Sequence, residues 1–150
     1  MSLLEQMYKD ILVSHQQRPR NRGRLEVRTH TAHGHNPSCG DQLDIDLRIE
    51  GETILELRFI GQGCAISQAS ASLMTTALIG KSVAEARAIA ADFSAMLRSG
   101  QNNDTLGELN ALVGVSKLYT RVKCAMLAWQ TLEIALNSSE VSPTADQSLA

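Results

Sequence analysis

The residues in this chain best suited to chemistry are its three cysteines, together with one carboxylate. Cys39 and Asp41 are two residues apart, Cys64 follows a Gly-Gln-Gly segment, and Cys124 comes late in the chain. An odd number of thiols beside a carboxylate fits a metal or sulfur site better than a disulfide framework. Such a set suits tetrahedral zinc, or an iron–sulfur cluster in which the aspartate replaces one thiolate.

Two further interpretations stay open at this point. A free cysteine is commonly a small buried apolar residue with no chemical role. His33 and His35 precede Cys39, and they are either solvent-exposed loop histidines or metal ligands that exchange with one of the four, because histidine is the commonest metal ligand.

A β-hairpin must lie between the first two cysteines. Residues 43–50 alternate apolar with charged side chains, and residues 55–59 do so again, which is the period of strands with one wet face. A two-residue turn at Gly51 and Glu52 fits between them.

The register of this hairpin predicts a short distance between the two thiols. A two-residue turn places Cys39 opposite Cys64 and Asp41 opposite Gln62 in the antiparallel pair. Cys64 also begins a helix, whose positive N-terminal end favours the thiolate. Arg121 is three residues before Cys124, and a cation there can stabilise a thiolate or persulfide, or dock a partner.

The remaining elements are expected to form an α+β fold, with helices packed on a small antiparallel sheet, because strands precede helices. A first strand is expected at residues 25–31. Periodic apolar positions predict helices at 2–14, from 64 to Gly80, after a Ser-x-x-Glu capping box at 82–85, at 106–113 and at 117–137. The last helix is expected to bury Leu118, Val122, Ala125, Trp129, Leu132 and Leu136.

Composition sets limits on the kind of protein. The 150 residues predict one domain at 1–137 and a disordered tail at 138–150. A net charge of −2 predicts no general affinity for nucleic acid or membranes. With no signal peptide and no apolar run of spanning length, we expect a cytoplasmic protein with reduced thiols.

An arginine-rich connector follows the first helix. Its interpretations are a solvated charged loop or a docking patch for an acidic partner, and the absence of interleaved aromatics disfavours nucleic acid. Its arginines are Arg18, Arg20, Arg22, Arg24 and Arg28.

Four segments together closely resemble the SufU branch of the IscU/NifU N-terminal family. They are NPSCGD at 36–41, GQGCAIS at 61–67, ASAS at 69–72 and RVKCA at 121–125, within a match over about residues 5–137. The resemblance implies an α+β fold with a three-stranded sheet, and a metal site formed by Cys39, Asp41, Cys64 and Cys124.

Three features favour the SufU branch over the cluster-scaffold branch of that family. Lys123 stands where the scaffold branch has a histidine, and the chain lacks the Leu-Pro-Pro-Val-Lys segment that a chaperone binds there. In addition, 59 residues separate Cys64 from Cys124, a longer stretch than in the scaffold branch. The His33 and His35 pair departs from the family pattern.

The resemblance implies iron–sulfur cluster biogenesis, in which a zinc-dependent protein accepts persulfide sulfur from a SufS-type cysteine desulfurase and passes it to downstream SUF assembly proteins. We expect Cys39 to accept the sulfur, because its loop between Pro37 and Gly40 can move without breaking a helix or strand. Arg121 then supports the site or the docked partner.

Two alternatives remain. One is a scaffold that assembles a transient two-iron two-sulfur cluster on the same four residues, which Lys123 and the missing chaperone segment disfavour. The other is a structural zinc module that only holds partners together, and a chain with a full core should not need a metal to fold.

Overall fold

The structure, a computed structural model, describes residues 2–138. It is an α+β fold in which a three-stranded antiparallel sheet of order β1-β2-β3 is covered on one face by helices, as expected. The predicted tail at 138–150 lies outside the described residues apart from Ser138. The elements are α1 (Leu3–Gln17), β1 (His30–Asn36), β2 (Asp41–Glu50), β3 (Thr53–Gln62), α2 (Ala65–Leu78), α3 (Val83–Ser99), a 3-10 helix (Asp104–Lys117) and α4 (Tyr119–Asn137).

The β2–β3 hairpin forms where the alternating pattern predicts it, but the register beyond its tip was wrong by one residue. A bulge at Leu55 of β3, opposite Arg48 and Ile49 of β2, shifts the pairing, so that Gln42, not Asp41, lies opposite Gln62. The predicted pairing of Cys39 with Cys64 therefore does not occur within the ladder. A bulge adds one residue to one strand, and the alternation of side chains does not reveal it.

The first strand lies later than predicted. Residues 25–29 form no strand, and β1 instead covers the histidine-rich stretch that had been assigned to a loop. Helix packing explains the difference: a Cβ atom built on Gly34 would lie 1.9 Å from the Thr131 hydroxyl oxygen of α4. Glycine is required here so that α4 can lie directly against β1.

The helices mostly follow their sequence signals. Ser82 and Glu85 form the predicted capping box at the start of α3. The segment predicted as a short helix at 106–113 is a longer 3-10 segment, Asp104–Lys117, that is interrupted at Gly107, where φ is 54° and ψ is −127°. Helix α4 begins after Leu118, which is 52% exposed and does not join the buried stripe.

The core lies between the sheet and the helices. Leu43, Ile45, Leu47 and Phe59 are fully buried on the helix-facing side of the sheet. Phe93 of α3 and Trp129 of α4 stack with ring centroids 4.5 Å apart. No helix in residues 2–138 combines the length and apolar character needed to cross a bilayer.

The arginine connector is partly structural, because it crosses the outer face of the sheet. Arg24 holds the buried Asp46 of β2 through two hydrogen bonds of 2.8 and 3.0 Å, and the backbone N–H of Leu25 donates to the same carboxylate. Arg28 adds a contact of 3.4 Å. The outer face, predicted to be wet, is therefore covered at Asp46. Arg18 and Arg22 stay exposed.

Candidate metal centre

Three of the four predicted ligand residues meet at one end of the sheet. Cys39 lies in the turn after β1, Asp41 is the first residue of β2, and Cys124 lies in the second turn of α4. One ligand atom from each of the three lies within 4.8 Å of the others. The two sulfur atoms, of Cys39 and Cys124, are 3.1 Å apart, too far for a disulfide bond.

The fourth predicted ligand, Cys64, lies next to this group rather than inside it. It is the N-cap residue of α2, and its side chain makes no capping hydrogen bond. Its backbone N–H donates to Asp41 Oδ1 at 2.9 Å, and its thiol interacts with Cys124. Cys64 thus reaches the site because it lies in the short connection between β3 and α2, and not because it pairs across the strands.

Asp41 is the centre of the hydrogen bonds in the site. It is fully buried, and no Lys or Arg within residues 2–138 forms an ion pair with it. Ser67 donates its hydroxyl to Oδ1 at 3.3 Å. A buried carboxylate is costly unless its charge is compensated, so this residue is well suited to a cation.

Gly63 leaves space for that carboxylate. Its φ is +154°, and a Cβ atom at this position would lie 2.1 Å from Asp41 Oδ1. Any other residue would push the carboxylate from its place, so the glycine before Cys64 keeps the centre open.

Cys124 is the least accessible thiol of the three. It is fully buried. Burial raises the pKa of the Cys124 thiol well above its ordinary value, and contacts with Cys39, Asp41 and Cys64 raise it further. Without a bound metal ion, this thiol stays protonated at neutral pH.

Arg121 supplies a cation at the rim of the site, as its position before Cys124 predicts. It is exposed, and its guanidinium lies beside the thiols of Cys64 and Cys124. The negative charge of a Cys64 thiolate, followed by hydrogen bonds to both sulfur atoms, raises the pKa of Arg121. Arg121 therefore favours negative charge on these sulfur atoms.

Asn36 and Ser67 contribute to the site, although the sequence analysis gave neither a role. Asn36 is buried and points its amide nitrogen toward Asp41 Oδ2 at 3.5 Å and Cys124 Sγ at 3.9 Å. Asn36 lies in the NPSCGD segment and Ser67 in the GQGCAIS segment, and this position was the only indication in the sequence that they belong to the site.

His33 and His35 do not join the cluster. They are exposed on β1, on the sheet face opposite α4, so the loop assignment was wrong although the exposure was foreseen. Within residues 2–138, the only group of three or more metal-binding side chains that meets the distance criterion above is Cys39, Asp41 and Cys124.

These residues fit a metal ion. Two thiols and a buried carboxylate that has no ion-pair partner within residues 2–138 face one point, and a third thiol lies beside them, which is a donor set for zinc or for an iron–sulfur cluster. A small α+β domain with such a centre belongs to the class of proteins that handle metal or sulfur.

Comparison with known proteins identifies the family. The model of the NifU-like N-terminal domain matches residues 7–144. The zinc-dependent sulfurtransferase SufU of Bacillus subtilis (strain 168) is 37% identical over 139 residues, covering 91% of this chain and 94% of the relative. The chain belongs to the NifU-like N-terminal domain family of iron–sulfur cluster assembly proteins, and the predicted SufU-type resemblance is confirmed.

Other relatives place the chain within the same family. The iron–sulfur cluster assembly scaffold protein IscU of Streptococcus pyogenes serotype M1 is 38% identical over 141 residues, covering 93% of this chain and 88% of the relative. A crystal structure of SufU from Fervidobacterium islandicum AW-1, described as a scaffold protein for the SUF system, superposes with a TM-score of 0.81 at 31% identity, covering 89% of this chain and 98% of that one.

Proposed function

We propose that this protein is a zinc-dependent sulfurtransferase that accepts persulfide sulfur from a SufS-type cysteine desulfurase and delivers it to downstream SUF cluster-assembly proteins. The proposed zinc ligands are Cys39, Asp41, Cys64 and Cys124. The observation that carries the proposal is the convergence of thiols around a buried carboxylate that has no Lys or Arg partner within residues 2–138. When bound, zinc would keep its thiol ligands deprotonated.

Accessibility favours Cys39 as the acceptor. Cys39 is half-buried in a turn between two strands, whereas Cys124 is fully buried with a raised thiol pKa. Cys64 is also half-buried, but it is fixed at the start of α2, where its N–H holds Asp41. The turn of Cys39 can move toward a partner with the least disturbance of other elements.

The transfer is balanced without an added oxidant or reductant. Once released from zinc, the Cys39 thiolate would attack the outer sulfur of the desulfurase persulfide, so that a new S–S bond forms at Cys39 and the S–S bond of the donor breaks. The donor cysteine leaves as a thiolate, and the transferred sulfur keeps its oxidation state. Arg121 would stabilise the negative charge of the sulfur atoms at the rim during this exchange.

The relatives support two versions of this role. The Bacillus relative is named a zinc-dependent sulfurtransferase, and the Streptococcus relative is named a cluster assembly scaffold. The same residues could hold a two-iron two-sulfur cluster, which makes the scaffold the second candidate. Lys123 beside Cys124, in place of the scaffold histidine, favours sulfur acceptance.

The test is desulfurase turnover with and without this protein, followed by intact-mass analysis. We expect faster turnover and a mass gain of about 32 Da, one sulfur atom, with both lost in Cys39→Ala. Ser38→Ala is the matched control, because its exposed side chain makes no contact with the ligands, and it should behave like the unchanged protein.

Other outcomes would redirect the proposal. A mass gain that persists in Cys39→Ala would move the acceptor role to another cysteine. No rate gain, together with a coloured cluster when iron and sulfide are added, would replace sulfur acceptance with the scaffold function.

A further inference from the structure

His33 and His35 lie side by side on the outer face of β1. They pair with Asp44 and Gln42 of β2. Residues two apart on a strand share a face, and Gly34 between them packs against α4 on the other face. Both imidazoles therefore project away from the helices.

Both side chains are accessible. Each is exposed, and β1 is an edge strand with a partner only on the β2 side. Within residues 2–138, the side chain of His35 has no hydrogen-bond or ion-pair partner. Its imidazole nitrogens are therefore available to a ligand from solvent.

Asp44 fixes one ring nitrogen of His33. The Nδ1 atom of His33 lies 2.7 Å from Asp44 Oδ1, and Arg24 holds the other carboxylate oxygen at 3.8 Å. A histidine that donates from Nδ1 to a carboxylate presents the lone pair of Nε2 to solvent. Histidines that bind metal through one ring nitrogen commonly donate from the other to a carboxylate in this way.

We propose that His33 and His35 form a second, outward-facing site for a divalent transition-metal ion, separate from the cysteine centre, with Asp44 as the residue that orients His33. The Cα atoms of such a pair are separated by roughly 6.6 Å, a distance over which two imidazoles can bind one ion. The hydrogen bond with Asp44 accounts for His33 alone, whereas a chelate also accounts for an unpartnered histidine side chain on the same face.

The test adds Ni²⁺ to protein whose cysteine centre is already loaded with zinc. Titration calorimetry should detect one bound Ni²⁺, and the NMR signals of His33 and His35 should broaden while those of the buried His15 do not. Each single variant, His33→Ala and His35→Ala, should weaken binding at least about tenfold, because chelation needs both rings, and Asp44→Asn should weaken it less.

His30→Ala is the matched control, since His30 lies on the same strand but on the other face. It should bind Ni²⁺ like the unchanged protein, and zinc content should stay constant in every variant. Unaltered Ni²⁺ binding in the double variant His33→Ala/His35→Ala, no binding at all, or loss of zinc on adding Ni²⁺ would each overturn the proposal. None of these results bears on sulfur acceptance at Cys39, which the turnover assay tests independently.

Discussion

Asn36 cannot itself carry charge, yet it touches two of the proposed ligands. Its amide nitrogen faces the carboxylate of Asp41 and the sulfur of Cys124, and its carbonyl oxygen accepts the N–H of Ser38 in the turn that holds Cys39. One buried side chain thus links the orientation of the carboxylate, a thiol and the turn that holds Cys39.

We expect Asn36→Ala to lower zinc affinity by about 10–100-fold, because residues that orient ligands commonly have effects of that size. Competition with a chromophoric zinc chelator measures it. Ser38→Ala provides the comparison, since it changes the same turn without removing a contact to the ligands. If Asn36→Ala, shown to be folded by circular dichroism, kept its zinc affinity, Asn36 would have no role in holding the centre.

At the scale of elements, the connector between α1 and β1 is fixed by one buried carboxylate. Asp46 receives hydrogen bonds from the Arg24 side chain, the Leu25 backbone and the Thr31 hydroxyl. Burial alone would raise the pKa of Asp46, but these hydrogen bonds outweigh it and the pKa lies below its ordinary value of 3.8. The folded state therefore prefers the ionised form.

Asp46→Asn should destabilise the protein by roughly 1–3 kcal/mol at pH 7, with Arg24 left partly solvated. A lowered pKa contributes stability that is present above pH 3.8 and is lost as the pH falls through the lower folded value. Urea unfolding at pH 7 and near pH 3, with chelator present at both, should show the difference between the two proteins shrinking in acid.

Glu56→Gln gives the reference for that experiment. Glu56 pairs with Arg48 on the surface, at 3.3 Å and 41% exposed, so its loss should cost less than about 1 kcal/mol. An equal effect of the two substitutions at pH 7 would mean that the Asp46 contacts do not hold the connector in place.

Some of the helices and strands could be predicted from the sequence, and one strand could not. The β2–β3 hairpin and the capping box at Ser82 follow from local patterns, and both were predicted. Strand β1 contains Gly34 and three histidines, which have no strong strand preference, and it forms because α4 packs on it. Because that contact joins segments far apart in the sequence, no local sequence pattern predicts it.

In the candidate metal centre, too, some features follow from the sequence and others do not. Residue types and the four segments predicted Cys39, Asp41, Cys64 and Cys124, and the structure brings three of them into one group with Cys64 beside it. The predicted reason for their proximity was wrong, because the register of the hairpin is shifted by one residue and Cys39 does not pair with Cys64 across the strands. Supporting contacts such as that of Asn36 depend on side-chain direction, which spacing does not provide.

At the scale of the whole molecule, most of the buried core lies outside the candidate metal centre. Buried aliphatic residues of the sheet pack on α2 and α4, and α3 packs on α4 and the 3-10 helix, whereas the ligands lie at one end of the sheet. The ligands nevertheless come from separate elements, so a bound ion would stabilise the assembled fold over the unfolded chain.

Removing metal with a chelator should therefore leave the protein folded but less stable. We expect the far-UV circular dichroism at 25 °C to be retained and the melting temperature to fall by about 10 °C, equivalent to a few kcal/mol of ligand stabilisation. Restoring one equivalent of zinc should restore the melting temperature. Loss of most helical signal on chelation would instead favour the structural zinc module.

The bulge near the tip of the β2–β3 hairpin affects where homologues can gain or lose residues. It accommodates one additional residue, Leu55, beside Arg48 and Ile49, while the pairing from Arg48 to Gln42 continues without interruption toward the site. Insertions or deletions at the tip can thus be absorbed there, far from Asp41. Homologues should tolerate changes in chain length at this end of the sheet and not at the other, where a single added residue would displace a ligand.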